Sequence, residues 1–224
     1  MGVVASWFTT RDLVCAGITR ALVLSSLCWM AAGCQSGKPT VSNTALLAHL
    51  PGVNFSGLTP MRQVAGVNVA CSVPEQWKPL KLEHTALYSH QQWKSPSGYT
   101  GVGVVYAGLP IPLDAQAVLW FAKLEYGKRG DNNNQIIAEW TDNLGRPWFE
   151  AQNSKYHVRG YAMTDGGDAW IVYFGYKVNR PPDPSEVSLA ARCVDTVVPG
   201  ANALKTPLKP KVAQANPPAA GKKS

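Results

Sequence analysis

Along the middle of this chain, apolar and polar residues alternate with a period of two, and a helical period appears in only two places. A first short run places Val67, Val69 and Cys71 on one side of a strand, with Asn68 and Ala70 on the other, and Pro74 ends it. Residues 83–94 and 99–108 read as two further strands. In 114–126 the apolar positions Ala115, Val118, Leu119, Ala122 and Tyr126 fall on one helix face. Asp114 is placed as its N-cap, Leu113 and Val118 as a hydrophobic staple, and Gly127 as its stop. Strands follow at hairpin spacing over 136–141, 146–152, 155–163 and 169–178. Asn143-Leu144-Gly145 and Asp165-Gly166-Gly167-Asp168 supply the turn chemistry between them. In the last strand Trp170, Val172, Phe174, Tyr176 and Val178 share a face, which is therefore the core face. A closing helix runs from Pro184 to about Val194, with Asp183, Pro184 and Glu186 in a capping-box-like arrangement. Its stripe of Leu189, Ala190, Cys193 and Val197 turns Cys193 inward.

The order is two or three strands, a helix, a four-strand antiparallel meander and a closing helix. Segregated helices over an antiparallel sheet predict an α+β sandwich, with a sheet of about six strands and two main helices packed on it. Together with Pro74-Glu75-Gln76-Trp77, a Pro-x-x-Trp stretch, this order resembles the PsbP-like fold over residues 67–198. The resemblance implies a small binding or assembly protein without a shared active site. No metal-ligand motif of the plant photosystem protein in that superfamily matches residues here, and nothing identifies a Ran-type partner.

Ahead of the domain, Ala21–Gly33 (ALVLSSLCWMAAG) is an apolar run preceded by Arg11 and Arg20. That is the layout of an export signal over residues 1–33. The run is too short to span a bilayer, and the polar QSGKPTVSNT after it argues against the alternative of a buried core helix. Its last residues, Ala31-Ala32-Gly33-Cys34, resemble the lipobox of bacterial lipoproteins, with Ala31 where leucine is usual. The resemblance implies cleavage before Cys34 and attachment of a lipid to its thiol. With Gln35 rather than aspartate next, it also implies an outer-membrane anchor facing the periplasm. An ordinary secretory signal with a free or paired Cys34 is the alternative. If Cys15 and Cys28 leave with the signal and Cys34 is acylated, Cys71 and Cys193 remain. An even number in an exported protein favours a disulfide between them, with two buried free thiols as the alternative.

Residues 34–66 then form a tether, polar at first and partly ordered over the domain surface from about 46. From Pro199 the chain is rich in Pro, Ala and Lys and has no aromatic residue, a composition that favours disorder over 199–224. Charge follows the same division. Of the formal net charge of +7, five charges lie in 199–224, one in 1–33 and one in 34–198. A nearly neutral body excludes a nucleic-acid partner, which requires a basic face on the folded part. The tail's lysines suit anionic wall or lipid head groups.

No His-Glu-x-x-His, Gly-x-Ser-x-Gly, P-loop or Cys-x-x-Cys occurs, and Gly101-Val102-Gly103 lacks the third glycine of a dinucleotide loop. His84 and His90 would lie about 20 Å apart on one unbroken strand, too far for a shared ion. With His157 they are expected as ordinary surface histidines, and neither metal nor cofactor is expected. Asp165 and Asp168 fit a hairpin turn better than a calcium loop. The most suggestive stretch is RPWFEAQNSKYHVRGY, residues 146–161. Alternation puts Arg146, Trp148 and Glu150 on one strand face and His157, Arg159 and Tyr161 on the next. Aligned in register they make a patch able to recognise a glycan or peptide, and an ordinary solvated sheet face is the bland alternative. The pattern favours a non-enzymatic envelope lipoprotein that binds an envelope protein or polymer. A small envelope hydrolase acting on wall material, with no assignable active site, is the second reading.

Overall fold

The structure is a computed structural model that describes Leu46, residues 48–127 apart from Leu87, and residues 134–200. The signal peptide, Cys34, the tether before residue 46 and the tail from residue 201 lie outside the described residues. The strands, in chain order, begin with β1 (Arg62–Val64), β2 (Val69–Cys71), β3 (Lys78–Pro79), β4 (Glu83–His84), β5 (Ser89–Lys94) and β6 (Thr100–Gly108). Helix α1 (Ala115–Gly127) follows, then β7 (Gln135–Thr141), β8 (Pro147–Gln152), β9 (Tyr156–Asp165) and β10 (Asp168–Lys177). Helix α2 (Pro184–Asp195) and β11 (Val198–Pro199) close the chain.

Eight strands form one antiparallel sheet in the order β3-β5-β6-β10-β9-β8-β7, with β4 also paired to β5. The broad class is thus α+β as expected, but the sheet is wider than six strands. Two departures from the sequence pattern account for this. Residues 83–94, read as one strand, reverse at 85–88, where Thr85 N–H donates to Tyr88 O at 2.9 Å and Tyr88 N–H to Thr85 Oγ1 at 3.1 Å. The short β3 adds a further edge pairing. The meander β7–β10 forms as predicted, and β10 then pairs with β6. That closure sends α1 across the sheet from β6 to the far edge at β7.

The two faces carry separate apolar clusters. On one, Trp93, Val102, Val104, Trp148, Trp170, Val172 and Phe174 meet α2 and a small three-stranded sheet, β1-β2-β11. Trp170 Nε1 donates to Val67 O at 2.9 Å and Tyr161 Oη to Val194 O at 2.6 Å, tying that layer to the sheet. On the other, Leu119 of α1 packs with Phe149, Ala151, Val158 and Ala162, and Ala115 and Val118 join them. Asp114 caps α1 through Ala117 N–H at 2.7 Å. Asp183 caps α2 through Ser185 N–H at 2.8 Å, but Glu186 does not close the expected box. Its carboxylate instead accepts from Ser97 Oγ at 2.6 Å and Ser97 N–H at 3.2 Å, fixing the β5–β6 turn.

The domain also starts earlier than residue 67. Leu46, Leu50, Leu58 and Met61 are buried in the same cluster as Val69 and Trp170, because the small sheet needs an apolar cover that 67–198 does not supply. Cys71 and Cys193, expected as a disulfide, are two unbridged buried thiols in this structure. Burial pushes the Cys71 thiol up to about 12 and holds that of Cys193 well above its ordinary value, with Cys71's own charge adding to the latter. Both are therefore neutral thiols at neutral pH.

Candidate functional site

Helix α1 packs on β8, β9 and β10. Beyond it the same sheet face continues over β6 and β5, where Gln92, Lys94, Gly101 and Tyr173 are half-buried. Cross-strand register orders this open half. One row runs Lys78, Lys94, Gly101, Gly175 and Val158, and the adjacent row runs Gln92, Gly103, Tyr173 and Gly160.

The second row explains its own glycines. A Cβ on Gly103 would sit 2.4 Å from Tyr173 Cζ and Oη, and one on Gly160 would sit 2.9 Å from Tyr173 Cβ. Only hydrogen at these positions lets the Tyr173 ring lie flat across β6. Its hydroxyl reaches β5, 2.7 Å from His90 Nε2 and 2.6 Å from Gln92 Nε2. With the Gln92 amide nitrogen as donor, Tyr173 accepts there and donates to His90 Nε2. The His90 proton then sits on Nδ1, 3.6 Å from Glu83 Oε2. Burial raises the Glu83 carboxyl above its ordinary value. Imidazole and phenol are thereby hydrogen-bonded, with His90 nearly enclosed, while Glu83 Oε2 lies near His90 at a distance too long for a hydrogen bond and is buried without a hydrogen-bond partner among the described residues.

The first row makes a groove. Gly101 and Gly175 floor it, Lys94 and Gln92 wall one side, and Tyr156 and Val158 the other, with Tyr173 at the inner end. It encloses only about 20 Å³, room for a water-sized sphere rather than for a small molecule. At its outer rim Tyr99 lies under two cations, Arg180 at 3.0 Å from the ring centroid and Lys177 Nζ at 5.2 Å.

The patch expected over 146–161 is in register, since Trp148 pairs with Tyr161 and Glu150 with Arg159. It is not one surface. Arg146, Trp148 and Tyr161 lie in the interior, where Arg146 Nε donates to Asp142 Oδ2 at 2.6 Å and Nη2 to Asp195 Oδ1 at 3.0 Å. The guanidinium also lies 4.4 Å from the Tyr161 ring centroid. Strand alternation assigns the face correctly, but α2 covers that end of it. The remaining three gather around the Glu150 carboxylate. His157 Nε2 meets Glu150 Oε1 at 2.6 Å, and Arg159 Nε meets Glu150 Oε2 at 3.0 Å. Among them Arg159 alone is well exposed. Of the three histidines, His84 is exposed as expected, whereas His90 and His157 are buried. His84 and His90 are also neighbours rather than distant, because the turn at 85–88 pairs β4 with β5, yet they point to opposite faces. Among the described residues no group of three His, Cys, Asp or Glu could hold a metal ion. Asp168 accepts from Tyr106 Oη at 3.0 Å and Asp165 is exposed at the β9–β10 turn, beside Gly166 at φ +60°.

The groove and the polar contacts of Tyr173 were not legible because their parts come from two separate stretches of the chain, 83–108 and 156–177, which meet only where β10 pairs with β6. The one local signal was Gly101-Val102-Gly103, two glycines on the same side of a strand, which marks a close approach.

No protein-family model matches the chain, and no curated protein matches it. Among solved structures it is similar to a crystal structure of a protein from Bacteroides thetaiotaomicron VPI-5482, at 9% identity and a TM-score of 0.32 over 66% of this chain and 50% of that one. The chain thus spans about half the length of that structure, and a likeness at this level carries no argument about fold or function.

Proposed function

We propose that this chain is a non-enzymatic binding or assembly factor of the cell envelope, with the open half of the sheet as its binding face. One observation carries the reading: an open, side-chain-free floor of Gly101 and Gly175, framed by Lys94, Tyr156 and Tyr173. A shallow frame of this kind suits the edge of a polymer or protein better than an engulfed substrate. The PsbP-like sandwich belongs to the same reading, supported by the element order of the sheet and its two helices. So does tethering through a lipid on Cys34 at the periplasmic side of the outer membrane, supported by the small residues ahead of that cysteine. Titrating the isotope-labelled chain with solubilised envelope polymers tests the face. Amide shifts at Gly101, Gly175 and Tyr173, abolished by Gly101→Val, are expected; shifts confined to other surfaces refute it.

A hydrolase reading keeps one specific support, the hydrogen-bonded His90–Tyr173 pair at 2.7 Å, which resembles a hydroxyl beside its base. Turnover of wall material that disappears in His90→Gln, with the fold intact, would establish it over the binding reading.

A further inference from the structure

We infer that strand β7 is an interface at which two copies of this chain pair edge to edge, at the far end of the sheet from the open half described above. The two edges of the sheet are built differently. At one, β3 is two residues long, Lys78-Pro79, and β4 is equally short. A short edge bearing a lysine and a proline discourages further pairing. At the other, β7 runs seven residues, Gln135–Thr141, with neither lysine nor proline. Among the described residues it pairs with β8 alone, so alternate residues turn their N–H and C=O groups away from the sheet. Of the six large apolar side chains exposed among the described residues, four gather here: Trp120, Ile136, Ile137 and Trp140. Trp120 belongs to α1, but Lys123 one turn on bonds to Glu139 of β7, which places that flank of the helix at the same edge.

The edge suits a second copy of itself. Ile136 lies opposite Ala151 on the α1 side of the sheet, and Trp140 lies opposite Trp148 on the α2 side, with the two indoles stacked at 5.6 Å. A bulge between Ile136 and Ala138 leaves Ala138–Thr141 as the regular stretch for pairing, flanked by the two isoleucines. A two-fold axis through an antiparallel strand pair keeps each face of the sheet continuous, so apolar groups on either face meet their equivalents. The one charge on the strand, Glu139, is paired with Lys123 of its own chain at 2.5 Å, so two copies meet without like-charge repulsion. Area is sufficient as well. About half of two tryptophans and two isoleucines is roughly 400 Å² per copy, and the strand backbone and its polar side chains carry the contact toward the roughly 800 Å² per partner of a standard interface. The chain's own tail is a poor occupant, because Pro207, Pro210, Pro217 and Pro218 lack the N–H that a ladder needs.

The test is sedimentation equilibrium and amide hydrogen exchange of the full chain, carrying Cys34→Ser so that no lipid contributes, over about 1–200 µM. A reversible dimer is expected, weakened about tenfold or more by Trp120→Lys/Ile137→Lys. Ile111→Lys, which replaces an equally exposed side chain in the loop between β6 and α1, should leave the affinity within about threefold. Unfolding midpoints of the variants separate lost association from lost fold. In the parent chain the outward-facing amides of Ala138–Thr141 should gain protection as concentration rises, a readout that needs no variant. A monomer at about 200 µM overturns the inference, even where a different protein protects the same amides. So does a dimer that survives Trp120→Lys/Ile137→Lys, or one lost equally in Ile111→Lys. Protection that is independent of concentration and disappears on removal of residues 201–224 assigns the edge to the tail and overturns it too.

Discussion

Tyr173 illustrates how one residue's position depends on others that are not its neighbours in sequence. Its ring lies flat because Gly103 and Gly160 carry no Cβ, and its hydroxyl is held by His90 and Gln92 on a strand one further away. Gly103→Ala should therefore lower stability by about 1–3 kcal/mol, since a Cβ there would drive the ring off β6. Tyr173→Phe should cost about 1–3 kcal/mol by another route, leaving the buried His90 Nε2 without the phenol. Urea midpoints measure both. Because the two substitutions act on one ring, their effects should be sub-additive in the double variant.

At the scale of elements, the β7–β8 hairpin is fastened by an ion pair rather than by its turn alone. Asp142 accepts from Arg146 Nε, Trp148 Nε1 at 2.9 Å and Leu144 N–H at 3.0 Å, and Arg146 continues to Asp195 at the end of α2. Arg146 is 3% exposed, so Arg146→Met removes one partner of a buried pair and should cost about 3–5 kcal/mol by chemical denaturation. Asp142 also sets a pH dependence. Its burial works against ionisation, but bonds from Trp148 and Arg146 outweigh it and hold the carboxyl below the ordinary aspartate value of 3.8. A depressed folded pKa means that this stability is present above the ordinary value and lost as pH falls through the folded one. Unfolding free energy should thus drop in acid below about pH 4, and Asp142→Asn should flatten that drop.

For the whole molecule, the closing helix and β11 return the chain to its beginning. Ala70 pairs with Val198, and Ser72 N–H donates to Thr196 Oγ1 at 2.9 Å, which brings the end of α2 beside β2. Cys71 and Cys193 stand at this join. We propose that they form a disulfide in the exported protein. It would close a loop of about 120 residues and stabilise by about 4–5 kcal/mol on the chain-entropy account. Intact mass after alkylation should show the bond, and reduction should lower Tm by about 10 °C. In the reduced fold both thiols should resist alkylation at pH 8, as burial keeps them protonated. Two free thiols in protein recovered from the envelope would refute the pairing. Mass spectrometry of membrane-purified protein should find acylated Cys34 as the first residue, and retention of residues 1–33 would refute that anchor.

Much of the element order was legible because each strand and helix writes its own period into adjacent residues. The meander over 136–178, helix 114–126 and the cap at Asp183 are all local features, and all are present. The reversal at 85–88 was not legible, since residues 83–94 keep a strand-like pattern through the turn. The site was less legible still. Alternation placed Arg146, Trp148 and Tyr161 on the right face, but a face is exposed or buried according to what packs on it, here α2 and the small sheet. The sequence by itself determined the periods, the caps, the separation of charge into the tail, and the small residues ahead of Cys34. Only the tertiary structure decided which half of the sheet stays open, that β10 pairs with β6, and that two distant glycines become a floor between lysines and tyrosines. The reason is that pairing and covering are long-range contacts, and no residue records in its own neighbours what will lie across the sheet from it.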